Sequence, residues 1–256
     1  MPTAKDIIVA PIKASDAAAL IKRVHYSGKV TQNSQLHLGV FLNGKLEGAM
    51  QFGPSIDKRK IQGLVKETGW NEFIELNRLA FSEYLPRNSE SRALGITMRI
   101  IRKQYPHIKW VISFADGTQC GDGTIYRASG FSLIGIKKNT TMLRMPDGSI
   151  VADKTLNDHV TKKSGWWKKH GAKALSGFQL RYIYFLDKSA KANLTVPILP
   201  FSKIDEMGAS MYLGKAREKK AMASFPEAQR QGSTDLHAPI LDRKGETFSP
   251  LLADGS

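Results

Sequence analysis

The sequence predicts a mixed α/β fold in which helices flank a central β-sheet. Three stretches carry this prediction. Apolar residues alternate over residues 36–52 on both sides of an Asn-Gly pair, which is typical of a β-hairpin with a two-residue turn. Residues 73–105 have the pattern of a strand, a turn and an amphipathic helix. Residues 108–114 are almost entirely apolar, as expected of a strand that is covered on both faces.

The other elements follow from similar signals. Asp6 begins a short apolar strand, and Ser15 and Asp16 then open a helix that ends before Gly28. Pro86 ends the strand that starts at residue 73, because proline cannot donate a hydrogen bond to a sheet. Further along the chain we expect a short helix at 124–129, a strand from 131, a hairpin over 141–151, a helix at 153–163 and a last strand at 178–186.

Composition changes after Asp187. Proline recurs there among serine, alanine, glycine and charges of both signs, and the helix and strand periods fade. The sequence therefore predicts a catalytic domain over residues 1–187 and an extended or partly disordered tail over residues 188–256.

The chain is strongly basic. Its formal net charge is +15, which favours polyanionic partners: nucleic acid first and anionic membranes second. Cys120 is the single cysteine, so an intrachain disulfide is excluded and a reducing compartment fits. Because the sequence has neither an apolar run of membrane-spanning length nor a signal segment, we expect a soluble cytoplasmic protein without a membrane partner.

The start of the helix that follows Pro86 has the composition of an anion site. Residues 87–92 place two arginines and two serines where a helix offers free N–H groups. These groups together favour phosphate. The alternative interpretation is an ordinary capped helix with a solvated basic face.

Tyr126 lies on the short predicted helix, and Gly130-Phe131 then opens the next strand. This pattern resembles the acyl-CoA-dependent N-acyltransferase (GNAT) superfamily. The resemblance implies that a central strand splays from its neighbour, that pantetheine lies in the gap, and that pyrophosphate sits at the next helix N-terminus. The usual glycine-rich pyrophosphate loop is replaced here by PRNSESRALG. The implied cofactor is acetyl-CoA or a related acyl or aminoacyl donor, and the implied cofactor-binding residues are Arg87, Asn88, Ser89, Ser91, Arg92 and Tyr126.

Within that superfamily the chain resembles the Mom family of phage DNA-modification proteins. The matching pieces, in order over residues 20–187, are HYSGKVTQNS, LGVF, MQFG, ELNR, PRNSESRA, SFAD and RYIYFL. The resemblance implies that the exocyclic amine of adenine in DNA is converted to a carbamoylmethyl derivative, which blocks host restriction enzymes. It also implies a CoA-type donor, a bound iron and, for a phage-encoded protein, a location in the host cytoplasm.

Asp116 follows the apolar strand at its carboxyl end, where open α/β sheets bind ligands. It can orient or deprotonate an amine or bind a metal, and the alternative is that it caps the following turn. His25 and Tyr26 end the first helix and are candidates for a base, a metal ligand or a stacking platform. A histidine there is otherwise a surface group on a favourable helix dipole. The metal site that we expect uses His25 and Asp116, with Cys120 as a conceivable further ligand.

Glu75 and Asn77 are two residues apart on a strand and therefore share a face. A buried glutamate is rare unless it is paired. Arg78 and Arg92 are candidate partners, so a structural ion pair is the alternative to a catalytic role.

Two basic segments are predicted to contact DNA. One combines cations for phosphates with indoles for stacking on unpaired bases, and it contains Lys162, Lys163, Trp166, Trp167, Lys168 and Lys169. The other, Lys58-Arg59-Lys60, is expected to be a solvated loop or short helix with a secondary electrostatic role. Modification of adenine N6 in a duplex requires the base to flip out, so an aromatic clamp is expected. The alternative is that both tryptophans belong to the core.

Three functions therefore compete: an adenine-modifying enzyme that acts on double-stranded DNA, an acyl or aminoacyl transferase that acts on a protein, peptide or RNA amine, and a basic DNA-binding protein without catalysis. The sequence leaves the oligomeric state open, and a homodimer is one alternative.

Overall fold

A seven-stranded sheet forms the centre of the protein. The computed structural model describes residues 2–153, 169–212 and 215–217, which lie within one compact unit, residues 1–219. The strands are β1 Ile8–Pro11, β2 Leu36–Leu42, β3 Lys45–Gly53, β4 Phe73–Phe81, β5 Trp110–Asp116, β6 Ser132–Asn139, β7 Met142–Arg144, β8 Ile150–Ala152, β9 Lys173–Ala174, β10 Gly177–Phe185, β11 Met211–Tyr212 and β12 Lys215–Ala216. The central sheet has the order β1-β2-β3-β4-β5-β10-β6, and two small sheets contain β8-β7-β9 and β11-β12.

The helices lie on both faces of the central sheet. They are α1 Ala14–Val24, α2 Lys58–Gln62, α3 Ser89–Gln104, α4 Thr124–Ala128 and α5 Ser202–Glu206, with short 3-10 helices at Ala4–Asp6 and Ser189–Asn193. The predicted mixed α/β class with a central sheet is therefore confirmed. The helix predicted for 153–163 lies outside the described residues beyond Asp153. Among the residues that the structure describes, no helix is both long enough and apolar enough to cross a membrane.

The predicted hairpin forms between β2 and β3. Asn43 and Gly44 make its turn with φ values of 49° and 76°. Such a left-handed pair at the turn matches the twist of the two strands and explains why the sequence uses Asn-Gly.

The parallel pair β4 and β5 separates along its length. Pairing runs only from Phe73 opposite Trp110 to Glu75 opposite Ile112. Beyond that point the Ser113 hydroxyl donates to the Leu76 carbonyl at 3.3 Å and spans the opening. The strand splay implied by the N-acyltransferase resemblance is therefore confirmed, and it leaves a gap in the middle of the sheet.

Strand β4 also contains a bulge. Gln51 of β3 lies opposite Arg78, whereas Phe52 lies opposite Leu76, so Asn77 is the extra residue. A bulge turns the neighbouring side chains relative to a regular ladder. This one falls beside the gap between β4 and β5.

Each face of the sheet has its own apolar cluster. Helix α3 buries Leu94, Met98 and Ile101 against one face. On the other face Trp110 is fully buried, stacks on Phe73 at 4.5 Å and donates its indole N–H to Thr68 at 3.1 Å. Because both faces are covered, the nearly apolar sequence of β5 is explained.

Packing continues beyond the boundary expected at Asp187. Ala190 and Ile204 are buried in the two clusters, and Leu199 forms an isolated bridge with Leu133 beside β6. Further on, Met211 is also buried. The described part of the segment therefore belongs to the folded unit. Its 3-10 turns and single bridges follow neither the helix nor the strand period, which is why the sequence pattern indicated a tail.

Candidate active site

One face of the sheet carries the acidic residues of the site. Glu75 of β4 lies opposite Ile112 of β5. Asp116 is four residues after Ile112 on β5. Side chains alternate along a strand, so Glu75 and Asp116 point to the same side. His25 and Tyr26 follow the end of α1 on this side. The charge of Arg78 affects the pKa of His25, and the charge of Asp116 affects the pKa of Tyr26.

His25 ends α1 and is partly buried. Its backbone N–H donates to the Ile21 carbonyl at 2.9 Å, and its Nδ1 lies 2.8 Å from the Ser27 hydroxyl. Burial, and then the charge of Arg78, lower the pKa of His25 to about 4. The imidazole is therefore neutral near pH 7, unlike a surface histidine stabilised by a helix dipole, and it can accept a proton or a hydrogen bond.

The depressed pKa of His25 predicts a pH-dependent stability. The pKa is about 6.5 in the unfolded chain and about 4 in the folded protein, so the unfolded chain binds more protons between these values. Stability is complete above pH ~6.5 and falls as the pH drops towards ~4. Thermal melts of the wild-type chain and His25→Gln across this range should show a smaller loss for the variant. Parallel curves would contradict the assignment.

Tyr26 packs against His25 with the ring centroids 4.2 Å apart. Desolvation raises the pKa of its phenol, and the charges of Asp116 and Cys120 raise it further, although about half of the side-chain surface remains exposed. The phenol therefore stays protonated at physiological pH and can donate a hydrogen bond. The Asp116 carboxylate therefore acts electrostatically on the Tyr26 hydroxyl.

Glu75 is partly buried, and desolvation raises the pKa of its carboxyl. The Ser55 and Asn77 side chains and the charge of Arg78 offset part of this rise, although the Ser55 hydroxyl makes no hydrogen bond of normal geometry with the described residues. A carboxyl with a raised pKa binds a proton more readily than an exposed glutamate. It is therefore suited to act as a general base.

Arg78 holds the bulge of β4 to the loop after α1. Its Nε donates to the Lys29 carbonyl at 2.8 Å, and another guanidinium nitrogen donates to the Asn77 carbonyl at 2.7 Å. The ion pairs of the described residues do not include Glu75 with Arg78 or with Arg92. Arg92 instead acts on Asp6, where it is a minor cause of a lowered pKa.

Asn77 is fixed by its surroundings. Its Oδ1 accepts from the Ser34 hydroxyl at 3.1 Å, and its Nδ2 lies 3.5 Å from the Pro54 carbonyl. A Cβ at Gly53 would lie 2.8 Å from Asn77 Oδ1. Glycine is therefore required at position 53 for this close approach, which aligns Asn77 beside Glu75.

Asp116 caps the turn that follows β5. Its Oδ1 accepts from the Thr118 N–H at 2.9 Å and from the Asn139 amide at 3.4 Å, and its Oδ2 accepts from the Gln119 amide at 3.4 Å. The turn-capping role suggested by the sequence is thus present. The same carboxylate also lies near Tyr26, so capping holds it in a fixed position at the site.

Tyr126 borders the site from α4. It is buried and lies 5.4 Å from Phe131 and 5.2 Å from Tyr182, measured between ring centroids. Burial raises its pKa to about 12, while the Ser113 hydroxyl at the gap lowers it in part. The hydroxyl therefore remains protonated beside the opening between β4 and β5.

The start of α3 contains the predicted cofactor residues. Asn88 adopts a left-handed conformation with φ 71° and makes no side-chain cap. Ser89 is fully buried, and its hydroxyl has no hydrogen-bond partner among the described residues. The Ser91 hydroxyl donates to the Asn88 carbonyl, and Arg87 and Arg92 are exposed. The orphan Ser89 hydroxyl is the feature here that an ordinary capped helix does not explain.

The predicted metal ligands form no metal cluster within the described part of the chain. No group of three or more His, Cys, Asp or Glu side chains there could hold an ion. Asp116 lies near Cys120, where desolvation and then the Asp116 charge raise the thiol pKa. His25 is instead engaged with Ser27.

The predicted DNA-contact residues are only partly described. Lys162, Lys163, Trp166, Trp167 and Lys168 lie outside the described residues, and Lys169 is exposed. Lys58, Arg59 and Lys60 lie in α2. Lys58 Nζ lies 4.6 Å from the ring centroid of Trp70, which is half exposed, and donates to the Asn71 side chain at 3.2 Å. Arg59 and Lys60 are exposed.

Sequence reasoning missed a buried carboxylate near the site. Asp122 is 1% exposed, and its oxygens lie 3.0 Å from Arg127 and 3.9 Å from Arg217. Its N–H also donates to the Met211 carbonyl at 3.2 Å. These bonds attach the segment of β11 and β12 to the turn that carries Asp116 and Cys120. Arg127 is only five residues from Asp122, but the sequence offered no signal for the bonds to the β11–β12 segment, because Ser210 lies 88 residues from Asp122.

Sequence reasoning also missed Arg181. It lies in the RYIYFL segment of β10 and shares one face of the strand with Ile183 and Phe185. A charged residue in an otherwise apolar face of an interior strand was the available signal.

Comparison with known proteins identifies the family. A sequence-family model described as the Mom protein family matches residues 6–203 of the chain. A curated relative, "Methylcarbamoylase mom" of Escherichia phage Mu, is 36% identical over 201 residues, which cover 76% of this chain and 81% of that protein.

Solved structures of N-acetyltransferases are also similar. One is the Escherichia coli ribosomal-protein-S18-alanine N-acetyltransferase, with a TM-score of 0.41, 13% identity and coverage of 71% of this chain and 94% of that one. Another is Arabidopsis thaliana NAA60 in complex with a bisubstrate analogue, with a TM-score of 0.43, 14% identity and coverage of 70% and 97%. The family match and the identity to the phage Mu protein, each over most of the chain, lead to one conclusion: the chain belongs to the Mom protein family.

Proposed function

We propose that this chain modifies adenine in double-stranded DNA, converting its exocyclic N6 amine to a carbamoylmethyl derivative that protects phage DNA from host restriction. The observation that carries the proposal is the 36% identity to a protein named methylcarbamoylase. The clustering of Tyr26, Glu75 and Asp116 on one side of the sheet supports it, because this side then offers a hydrogen-bond donor and two carboxylates to an incoming amine.

The chemistry explains why carboxylates are needed. The N6 lone pair of adenine is delocalised into the ring, so the amine is a weak nucleophile. As N6 forms its new bond to carbon, an N6–H bond breaks and the proton must leave. Glu75, with its raised pKa, accepts that proton. Asp116, held by its turn, accepts a hydrogen bond from the amine and orients it. The protonated phenol of Tyr26 donates to a ring nitrogen of the base.

The gap between β4 and β5 suits an acyl or aminoacyl donor. Tyr126 and Ser113 border the gap, and the buried hydroxyl of Ser89 at the start of α3 can donate to a phosphate oxygen of the donor. Acyl transfer from acetyl-CoA alone would yield an acetylated amine, whereas a carbamoylmethyl group is bonded to N6 through its methylene carbon and contains a further nitrogen. Attack of N6 on the carbonyl of a glycyl donor would give the isomer N6–C(=O)–CH2–NH2. Direct formation of the carbamoylmethyl product therefore requires a donor whose methylene carbon is attacked by N6 and carries the leaving group. No step is assigned to iron, because the described residues contain no cluster of ligands for it.

Double-stranded DNA with a flipped adenine is the partner that we propose. The net charge of +15 favours binding to the phosphate backbone. Tyr26 is half exposed, so a flipped base can reach its hydroxyl.

Expression of the chain in a bacterial host provides the direct test. Nucleosides from plasmid DNA of these cells, analysed by mass spectrometry, should contain a deoxyadenosine heavier by one carbamoylmethyl group. Cells that express Asp116→Asn at the same soluble level should contain only deoxyadenosine. Unmodified plasmid DNA beside soluble wild-type protein would overturn the proposal, and RNA and protein fractions of the same cells would then be examined for modified amines.

A further inference from the structure

Arg181 lies on an interior strand of the sheet, on the side that carries the candidate active site. Strand β10 lies between β5 and β6, and Arg181 is opposite Phe114 on one side and Gly135 on the other. Directly opposed residues of adjacent strands share a face, as do residues two apart on one strand. Arg181 therefore shares its face with Phe114 and with Asp116.

The guanidinium of Arg181 lacks a partner within the part of the chain that the structure describes. The side chain is partly buried, its Nε is buried without a hydrogen-bond acceptor, and none of the ion pairs formed by the described residues includes it. Burial lowers the pKa of Arg181, yet an arginine remains charged in proteins. The Arg181 guanidinium therefore keeps its positive charge in its partly buried position, and deprotonation does not remove the free-energy cost of desolvating that charge.

The strands leave one side of Arg181 uncovered. Its neighbour on β6 is Gly135, which has no side chain, and a Cβ built there would lie 3.9 Å from Arg181 Nε. The ladder between β10 and β6 also shifts its register between Arg181 and Tyr182. A register shift turns side chains away from a regular ladder. These features keep the guanidinium free of a neighbouring side chain on that strand.

A partly buried cation whose buried Nε has no acceptor is destabilising, so its presence on an interior strand calls for a ligand that accepts a hydrogen bond from it. We propose that Arg181 binds a phosphate group of a substrate, namely a phosphodiester of the DNA strand that carries the flipped adenine. A guanidinium fork matches two phosphate oxygens and is more weakly hydrated than a lysine ammonium. This inference rests on the proposed function. The same chemistry would suit a phosphate of the donor, so the test separates the two sources.

The full-length chain with Arg181→Gln is compared with Arg99→Gln, which removes the same charge from an exposed position of α3. Fluorescence anisotropy measures affinity for an adenine-containing duplex that the wild-type protein binds, at several salt concentrations. Arg181→Gln should bind about tenfold more weakly than Arg99→Gln, as for the loss of a charge-assisted hydrogen bond. The slope of log affinity against log salt should fall by about one for Arg181→Gln.

Calorimetric titration with CoA forms the second arm. Unchanged CoA affinity together with weakened duplex binding supports the DNA phosphodiester. Weakened CoA binding with unchanged duplex affinity assigns the phosphate to the donor and overturns the DNA assignment. Equal behaviour of Arg181→Gln and Arg99→Gln in both arms overturns phosphate binding altogether.

A third measurement uses the wild-type protein, so its main result does not depend on whether a variant folds. Single phosphates on either side of the target adenine are replaced by neutral methylphosphonates, and binding by the wild-type protein is measured. One position should weaken binding about tenfold, and a uniform response along the strand would contradict a defined phosphate contact. Arg181→Lys, which keeps the charge without the fork, should lose part of this discrimination. Absence of modified deoxyadenosine with the wild-type chain would refute the proposed function, whereas these binding results test Arg181 independently of the reaction.

Discussion

Asp116→Asn is expected to abolish DNA modification while the affinity for DNA stays at the wild-type value. Asparagine keeps an oxygen that accepts the Thr118 N–H, so the turn after β5 should form as before. It loses the negative charge that acts on Tyr26 and that orients the adenine amine in the proposed reaction. We expect the rate to fall by about 10²-fold or more, as for the loss of a positioned acid–base group. Nucleoside mass spectrometry gives the rate, and anisotropy with a duplex gives the affinity.

Asp147→Asn provides the matched control. Asp147 also accepts the N–H two residues ahead, from Ser149 at 2.9 Å, but it lies in the exposed turn between β7 and β8. The same substitution in the same type of turn should leave modification unchanged. Wild-type activity in Asp116→Asn would remove Asp116 from the mechanism and leave it as a turn cap alone.

Glu75→Gln should lower the modification rate by about 10²-fold, because glutamine cannot accept the proton from N6. In the wild-type enzyme the rate should rise with pH through the raised pKa of Glu75, since the base must be ionised. The residual rate of the variant should lack this dependence. Initial rates measured from mildly acidic to neutral pH test both statements.

Stability separates this effect from misfolding. Because burial raises the pKa of Glu75, the ionised carboxylate destabilises the folded protein at neutral pH. Glu75→Gln should therefore melt at the same temperature as the wild type or higher. Glu83→Gln, at an exposed position after β4, serves as the control for the charge change and should retain full activity. A variant at position 75 with the wild-type rate and pH profile would eliminate Glu75 as the base.

Local patterns in the sequence predicted much of the fold. The Asn-Gly turn, the apolar strand β5 and the amphipathic helix α3 each depend on neighbours within a few residues, so periodicity and turn chemistry are sufficient to find them. Two-residue spacing on β4 predicted that Glu75 and Asn77 share a face, but Asn77 is the extra residue of a bulge, so its position depends on the tertiary structure and not on regular alternation. The position of Asp116 after an apolar strand predicted its place at the edge of the gap. The family resemblance supplied the strand splay and drew attention to His25 and Tyr26 as candidate site residues.

Tertiary structure decided which groups surround each of these side chains. The pKa of His25 is depressed because burial desolvates the imidazole and, to a smaller extent, because the charge of Arg78 disfavours its protonated form, which the helix-end position alone did not indicate. Asp122 pairs with Arg127 of α4, and it also lies 3.9 Å from Arg217, in a segment that shows no regular period. The surroundings of Arg181 could be found only from the sheet order, because β10 lies between β5 and β6 and places this charge opposite Phe114 and Gly135. Local signals therefore determined the elements and the candidate residues of this protein. Burial, register and charge environment required the folded chain, because they depend on contacts between residues far apart in the sequence.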